Sequence, residues 1–357
     1  MKIVAVRSYL KNMALTKPYT IAYNTFSDVR LAFFEVELEN GIIGYGSGSP
    51  AEEVVGETTE QTAANLQTEY VHAFVGKDIR QFQQIIFETI QHFPHLPGTQ
   101  AAIDIALHDA FAKFIGISVA NYYGQKIKPL PTSVTIGIKN VTETLEEAAG
   151  YKALGFKILK VKTGLNVDED IERVIKLKEQ FGNQFKIRVD ANQGYRIADL
   201  KKFIEATKHQ GLELIEQPMQ VGAEKELLVL DKSDRKLLTA DESLKNPQAA
   251  LQFASNEKPF GIYNIKLMKC GGLVGALGIA NIAQNADIDL FWGCNDESII
   301  SITAALHVAY ACPNTKYIDL DGSLDLAEDL VKGGFEIVDG IMQITDAPGF
   351  GFNINTI

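Results

Sequence analysis

The sequence predicts an α/β protein in which a parallel barrel of strand and helix units carries a smaller second domain. Short apolar runs each end in a charged residue, and the last charges of successive runs are 28, 26, 25 and 25 residues apart. This distance is the length of one strand–helix unit of a parallel barrel. The chain also has 357 residues, which is more than one core usually supports. The charges are Lys162, Asp190, Glu216, Asp241 and Lys266.

The first 126 residues are predicted to form an α+β capping domain. The stretches 2–9 and 29–48 have the alternation of three strands, with a hairpin turn at Glu39-Asn40-Gly41. Helical patterns follow at about 57–74, 79–91 and 97–115. The last of these is small and apolar on most sides, which is typical of a helix between two domains. Breakers in QKIKPLP, near Lys126 to Pro131, mark the boundary.

Residues 127–334 are predicted to form the barrel, and the tail 335–357 is predicted to rejoin the capping domain. The first strand is TSVTIGI (132–138), and the next five are the runs with the charged ends. The last two are DIDLFWG (287–293) and KYIDLD (316–321), which makes eight strands. The C-terminal ends of such strands face one common mouth, so the charges should converge there.

Composition excludes several classes of function. The net charge is −11, from 34 basic and 45 acidic residues, and no Lys/Arg cluster suggests a nucleic-acid partner. No stretch approaches eighteen apolar residues and the N-terminus does not resemble a signal peptide, so we expect a cytoplasmic protein without a membrane partner. Three cysteines, Cys270, Cys294 and Cys312, lack zinc-type spacing and should be reduced and structural.

Three lysines in the predicted mouth have the pattern of acid–base groups. Lys160 and Lys162 alternate with Val161, so a strand projects both on one face. A solvated strand face is the ordinary alternative, but this strand is otherwise apolar. Two ammonium groups held together should depress each other's pKa toward about 7 to 8, where lysine acts as a base. Lys266 lies about halfway round the barrel, which suits proton transfer on two faces of one substrate.

Three carboxylates in the same mouth predict a metal site. Asp190, Glu216 and Asp241 form a set of hard oxygen donors without Cys or His, which suits Mg²⁺. Each alone reads equally well as a surface residue or helix cap. Their shared position at successive strand ends favours a site, because three facing carboxylates would otherwise repel one another.

These motifs resemble the enolase superfamily, in its muconate-lactonizing branch. The matching strand-end segments are Lys160-Val161-Lys162, Asp190-Ala191-Asn192-Gln193, Glu216-Gln217-Pro218, Asp241-Glu242-Ser243 and Asn264-Ile265-Lys266-Leu267. The helix GTQAAIDIALHDA matches as well, and the resemblance covers nearly the whole chain. The resemblance implies a (β/α)7β TIM-like barrel with an α+β capping domain. It also implies a Lys base and one Mg²⁺ that stabilises an enediolate.

Within this branch, Ile318-Asp319-Leu320-Asp321 looks like the D-x-D motif of dipeptide epimerases, including the Ala-Glu epimerases. The resemblance implies that Asp319 and Asp321 bind the ammonium of a dipeptide, although Asp321-Gly322-Ser323 also reads as a turn. Lys162 and Lys266 would exchange the α-proton of the C-terminal residue on opposite faces. Lys160 would stabilise the enolate oxygen or keep the pKa of Lys162 low.

Two loops are expected to set substrate specificity. Ala-Glu epimerases carry an arginine in the first capping loop, whereas this chain has Tyr19, Tyr23 and Asn24 there. Asp296 adds negative charge after the seventh strand, unless it caps the following helix. Both features favour dipeptides with a hydrophobic or basic C-terminal residue over Ala-Glu.

Other readings remain open at this point. The lysine pair and carboxylate triad also serve o-succinylbenzoate synthases and N-acylamino-acid racemases, against which Asp319 and Asp321 argue. A noncatalytic, metal-stabilised binding barrel is a more distant alternative. The predicted partner is a small dipeptide, and the resemblance allows a homo-oligomer.

Overall fold

The computed structural model describes residues 1–21, 24–255 and 257–355, and the side chains of residues 17–26 are not described. No helix in these ranges is both long and apolar enough to cross a membrane.

An antiparallel sheet comes first, formed by β1 (Ile3–Ile21), β2 (Asn24–Leu38) and β3 (Ile43–Gly48) in the order β1-β2-β3. The predicted turn lies between β2 and β3, where Gly41 takes a left-handed φ of 81°.

Short helices and one long helix follow this sheet. They are α1 (Glu52–Val55), α2 (Thr59–Asn65), α3 (Glu69–His72), α4 (Phe82–His92), α5 (Pro97–Ile115) and α6 (Val119–Tyr123). The predicted helix 97–115 is confirmed as α5, which is buried along most of its length. It lies against β3, because Gly44 and Gly46 leave room for its backbone. A Cβ at Gly46 would lie 1.9 Å from the carbonyl oxygen of Ala102.

The barrel contains eight parallel strands, all within the described ranges. They are β4 (Val134–Ile136), β5 (Ile158–Lys162), β6 (Lys186–Asp190), β7 (Leu214–Glu216), β8 (Leu238–Ala240), β9 (Ile262–Ile265), β10 (Asp289–Gly293) and β11 (Thr315–Asp319). The strands pair in chain order. A parallel bridge between Thr132 and Ile318 joins the first strand region to the last. The predicted barrel is therefore confirmed.

Helices connect successive barrel strands. They are α7 (Val141–Ala153), α8 (Val167–Phe181), α9 (Ile197–Thr207), α10 (Lys232–Arg235), α11 (Pro247–Phe253), α12 (Leu267–Cys270), α13 (Leu273–Asn285) and α14 (Ile299–Tyr310). Helix α8 shows how the sequence specifies them. Asn166 caps its N-terminus by accepting the N–H groups of Asp168 and Glu169, and Leu177 and Phe181 on one face are buried. In the described residues β11 is followed by strands rather than a helix, which gives the (β/α)7β order.

The segment after β11 returns along both parts of the molecule. It forms β12 (Val331–Gly333), β13 (Phe335–Val338), β14 (Ile341–Ile344) and β15 (Phe352–Ile354), paired as β12 with β15 and β13 with β14. The N–H of Thr132 donates to Gly340 O at 3.0 Å, and the N–H of Val119 donates to Gly349 O at 3.0 Å. The division into residues 1–126 and 127–334 stays a prediction.

A continuous apolar core runs from the barrel into the N-terminal sheet. Leu31 and Phe33 of β2 and Ile105 of α5 belong to the same buried cluster as Ile187 and Trp292 of the barrel. Burial of apolar side chains is the main source of folding free energy. The shared core therefore couples the N-terminal elements to the strands that carry the site.

Candidate functional site

The predicted charges meet at one rim of the barrel. Lys160 and Lys162 lie on β5, Asp190 and Glu216 are the last residues of β6 and β7, and Asp241 and Lys266 directly follow β8 and β9. Since parallel strands share a direction, these strand ends lie side by side. The structure thus brings together every lysine and carboxylate that the strand spacing indicated.

Lysine ammonium groups bridge the carboxylates. Lys160 Nζ lies 3.2 Å from Asp190 Oδ2 and 2.9 Å from Glu216 Oε2. Lys162 Nζ lies 2.7 Å from Asp190 Oδ2, and Lys266 Nζ lies 3.0 Å from Asp241 Oδ2. Each of these ammonium groups therefore has a carboxylate partner inside the barrel mouth, which makes its burial tolerable.

The expectation that the two lysines of β5 depress each other's pKa is wrong for Lys160. Burial lowers the pKa of Lys160, but Asp319, Glu216 and Asp190 outweigh it and raise that pKa well above its usual value. Burial also disfavours the charged form of Lys266, but the negative charge of Asp241 favours that form and the pKa of Lys266 is raised as well. Lys160 Nζ lies 2.9 Å from Glu216 Oε2 and Lys266 Nζ lies 3.0 Å from Asp241 Oδ2, and attraction to such anions dominates at both lysines.

The carboxylates divide the site's negative charge unequally. Burial favours the neutral form of Asp190, but Lys162 and Lys160 outweigh it and hold its pKa at about 2. Burial, followed by the nearby charge of Asp190, raises the pKa of Glu216 above its usual range. No three acidic, His or Cys side chains in the described part of the chain form a ready cation cage. Lys160 Nζ lies between two of the three predicted ligands.

The loops that follow β6 and β7 have strained backbones. Asn192, Gln193 and Gln217 have φ values of 40°, 69° and 30°. Residues other than glycine seldom adopt positive φ, and such outliers cluster at functional sites. Asn192 also donates its backbone N–H to Asp190 Oδ1 at 3.0 Å, and its Oδ1 accepts from Lys162 at 2.9 Å. The strain therefore coincides with groups that orient the predicted base and ligand.

Asp319 and Asp321 have different environments, although the sequence treats them as a pair. Asp319 Oδ2 accepts from Lys160 at 2.9 Å and its Oδ1 accepts from the hydroxyl of Ser133 at 2.6 Å. Asp321 Oδ2 accepts the backbone N–H of Thr135 at 3.1 Å. Burial, then the charge of Asp319, raises the pKa of Asp321 well above its usual value. The charge of Lys160 offsets this rise only in part, so Asp321 is less well balanced by a cation than Asp319, which Lys160 contacts directly.

The loop between β10 and α14 is held by two hydrogen bonds to Ser49. The Ser49 hydroxyl donates to Asp296 O at 2.9 Å, and Asn295 Nδ2 donates to Ser49 O at 3.0 Å. The N-cap of α14 is Ser298, which accepts the N–H of Ile300, so Asp296 is not the helix cap. The predicted specificity residues Tyr19, Tyr23 and Asn24 lie outside the described side chains.

Several residues of the site were not found from the sequence. The ammonium of Lys269 is buried and donates to Asp241 Oδ1 and, at 2.6 Å, to Asp241 O. Gln217 Oε1 accepts the N–H groups of Asp241 at 2.9 Å and Ser243 at 3.2 Å. Asn264 Nδ2 donates to Glu216 Oε1 at 2.6 Å. Gln217 and Asn264 lie within the quoted strand-end motifs, although no role was predicted for them, and Lys269 lies three residues after Lys266.

Comparison with known families assigns the chain. Residues 3–124 match the N-terminal domain model of mandelate racemase and muconate lactonizing enzyme, and residues 143–356 match the enolase C-terminal domain-like model. The chain belongs to the enolase superfamily. The family resemblance of its strand-end motifs is thereby confirmed.

Similar members of the superfamily are epimerases. An L-Lys-D/L-Arg epimerase of Desulforapulum autotrophicum is 49% identical over 98% of this chain and 99% of its own length. A dipeptide epimerase of Methylococcus capsulatus, solved with Mg and L-Arg-D-Lys, has a TM-score of 0.96 at 43% identity, with 99% of both chains covered. One from Enterococcus faecalis, solved with Mg and L-Leu-L-Tyr, has a TM-score of 0.90 at 32% identity, again with 99% of both covered.

Proposed function

We propose that this protein is a Mg²⁺-dependent dipeptide epimerase that inverts the α-carbon of the C-terminal residue. One observation carries the proposal: two lysines flank the carboxylates from opposite sides. Lys162 ends β5 and contacts Asp190, while Lys266 follows β9 and contacts Asp241. Three strands separate β5 from β9 in the eight-stranded sheet, so the two lie across the barrel. The names of the similar proteins support this activity.

The donor set fits Mg²⁺. Asp190, Glu216 and Asp241 offer only carboxylate oxygens, the ligands that Mg²⁺ prefers. Glu216 Oε2 is buried and accepts no well-directed hydrogen bond, although Lys160 Nζ lies 2.9 Å away. These three residues would hold the ion, and its charge would stabilise the negative charge that develops on the substrate carboxylate. The Mg complexes of the two relatives support the assignment.

The two lysines would move one proton. One removes the α-proton from its face of the substrate, and the other returns a proton to the opposite face. A carboxylate that is shared with a dication stabilises a neighbouring ammonium less. Lys266 would then lose part of the rise in its pKa and come closer to the range of a base. Lys160, almost fully buried among the carboxylates, would stabilise the developing enolate oxygen.

Asp319 and Asp321 would bind the dipeptide's N-terminal ammonium and so fix which carbon reacts. Lys160 offsets the negative charge around Asp321 only in part, and a substrate ammonium would supply a further cation. Residues 50–53 would help to close the mouth and exclude water, and the other predicted closing segment, 17–24, lies outside the described side chains. A cytoplasmic location and self-association stay predictions from the sequence.

We further propose a preference for basic C-terminal residues. The charge of Asp296 acts on Asp325, whose pKa is raised to about 6 by burial, then by Asp296 and Glu147. Negative charge therefore accumulates beside the β10–α14 loop. Such a field attracts a cationic side chain and repels a substrate glutamate. The two relatives named L-Lys-D/L-Arg epimerase, at 49% and 43% identity, support this choice.

Exchange of the α-proton in D₂O tests the proposed function. L-Lys-L-Arg and L-Lys-D-Arg are incubated separately with the enzyme and Mg²⁺, and deuterium at the arginine α-carbon is followed by mass and NMR. We expect both epimers to exchange and interconvert. Lys162→Ala and Lys266→Ala should each abolish interconversion while leaving slow exchange of one epimer. Full epimerisation by either variant would refute the two-base assignment, and dehydration chemistry would instead indicate a synthase.

A further inference from the structure

The turn that follows Lys266 is held together as a compact unit. The carbonyl of Lys266 accepts the N–H of Lys269 at 3.0 Å and that of Cys270 at 3.2 Å. Helix α12 then ends at Gly271, with φ 81°, and α13 begins after Gly272, with φ 97°. Because the turn is short and internally bonded, a shift of its far end moves the backbone of Lys266.

The far end of this turn is fixed by a residue of the N-terminal region. Asp104 of α5 accepts the N–H of Leu273 with Oδ1 at 3.0 Å and the N–H of Val274 with Oδ2 at 3.2 Å. Both N–H groups belong to the first turn of α13, and N–H groups at that position have no acceptor within their own helix. Asp104 is fully buried, and its charge is favourable at a helix N-terminus.

Gly272 makes the close approach of Asp104 possible. A Cβ at position 272 would lie 2.6 Å from both Cβ and Cγ of Asp104. Position 272 therefore requires glycine for two reasons: a larger side chain would clash with Asp104, and the backbone has a positive φ. The contact is thus specific to one carboxylate placed at one backbone position.

Asp104 is itself braced within α5. His108 Nδ1 lies 3.0 Å from Asp104 Oδ1 and 2.9 Å from Asp104 O, and its Nε2 lies 2.6 Å from the hydroxyl of Tyr123. With the proton on Nδ1, His108 donates to Asp104 and accepts from Tyr123. This chain of buried polar groups holds the carboxylate in one orientation.

We propose that Asp104 is a positioning residue for Lys266 and that it acts from the N-terminal helix α5 through the α12–α13 turn. The inference rests on the proposed function, in which Lys266 serves one face of the substrate. The two hydrogen bonds of Asp104 go to α13, beside the turn that carries Lys266, whereas Lys162 lies on β5. Loss of its two hydrogen bonds should therefore displace one base and leave the other in place.

The test compares Asp104→Asn with wild type and with Lys266→Ala in the D₂O exchange assay. Asparagine can accept only one of the two N–H groups and presents an amide N–H to the other. Lys266→Ala first identifies the epimer whose exchange depends on Lys266. For that epimer we expect Asp104→Asn to slow exchange about 10- to 100-fold, since displacements of about 1 Å have effects of this size. Exchange of the other epimer should stay within about threefold.

Glu57→Gln is a matched control. Glu57 is also a fully buried carboxylate at a helix N-terminus, where it accepts the N–H groups of Gly98 at 2.7 Å and Thr99 at 2.9 Å. It lies at the start of α5 rather than at α13. We expect Glu57→Gln to change the exchange of both epimers by the same factor, whatever its effect on stability.

The outcomes separate the inference from the function on which it rests. Equal slowing of both epimers by Asp104→Asn would overturn the positioning role while leaving the epimerase proposal intact. No exchange of either dipeptide by wild type would instead contradict the proposed function. If Asp104→Asn does not fold, the same assay on His108→Asn tests the inference, because this variant removes the histidine that orients Asp104 but keeps the carboxylate. It should produce the same inequality between epimers in milder form, and equal effects would refute the proposal.

Discussion

Two neighbouring aspartates at the mouth differ in the groups that balance their charge. Both oxygens of Asp319 are engaged, one by Lys160 and one by Ser133. Asp321 accepts only a backbone N–H among its described hydrogen bonds. A substrate ammonium would supply a positive counter-charge to the carboxyl group of Asp321. At Asp319 the same ammonium would have to share the carboxylate with Lys160. The two residues should therefore respond differently to removal of the substrate's charge.

Acetylation of the dipeptide's amino group tests this part of the site. It removes the positive charge and leaves a buried carboxyl without its partner, which costs on the order of 2–5 kcal/mol in transition-state binding. We expect kcat/KM for N-acetyl dipeptides to fall accordingly, with steady-state kinetics as the measurement. Asp321→Asn should reduce the difference between free and acetylated substrates. Equal turnover of both by wild type would place the enzyme with the N-acylamino-acid racemases.

Asp296 provides a second prediction at the scale of single residues. Dipeptides ending in Lys or Arg should exceed Ala-Glu in kcat/KM, because the negative field around Asp296 and Asp325 favours cations. Asp296→Ala should lower kcat/KM for basic dipeptides by about tenfold or more, given the cost of losing a close opposite charge. A neutral dipeptide such as Leu-Leu serves as the internal control. A substrate screen led by Ala-Glu would contradict this interpretation.

The residues that were predicted share one property, which is a charge at the end of an apolar run. Strand periodicity makes such a charge visible in the sequence, as for Asp190 and Glu216. Lys269 and Gln217 lack this signature, since their importance comes from hydrogen bonds to Asp241 across two strand ends. The pKa of Lys160 was also mispredicted, because the carboxylates of Asp319, Glu216 and Asp190 contact its ammonium.

At the scale of elements, the contact between β3 and α5 depends on glycine. Gly44 and Gly46 allow the α5 backbone to approach the sheet closely. The structure also differs from the predicted elements here. β1 runs from Ile3 to Ile21 rather than over 2–9, because its length is set by pairing with β2. Long-range pairing of this kind leaves little trace in local sequence.

Substitution of Gly46 tests the packing of these two elements. Gly46→Ala places a Cβ 1.9 Å from Ala102 O, and we expect the free energy of unfolding to fall by about 1–3 kcal/mol or more, as in overpacked cores. Gly150→Ala in α7 is the control, because a Cβ there meets no atom within 4 Å. It should stabilise the protein by about 0.5–1 kcal/mol. Urea unfolding measures both, and equal effects would show that the approach of α5 is not limiting.

At the scale of the whole molecule, the site concentrates negative charge in a chain that already carries −11. Asp190, Glu216 and Asp241 are all buried, so an ion that binds them also stabilises the fold. Mg²⁺ at a hundredfold excess over its Kd should add about 2.7 kcal/mol to the free energy of unfolding. Asp190→Asn should lose most of this increment. Thermal unfolding with Mg²⁺ and with chelator measures it, and undiminished activity in excess chelator would contradict a metal requirement.

The contact between Asp109 and residue 350 has a consequence for the order in which the protein can fold. Asp109 Oδ1 accepts the N–H of Phe350 at 3.0 Å across 241 residues of sequence. Lys113, at 2.7 Å, is the neighbouring cation. During synthesis on the ribosome, α5 and β3 emerge long before residue 350, so the hydrogen bond of Asp109 to Phe350 can form only after the entire barrel has been made. Contacts between residues so far apart in sequence form slowly, and this bond therefore belongs to the late steps of folding.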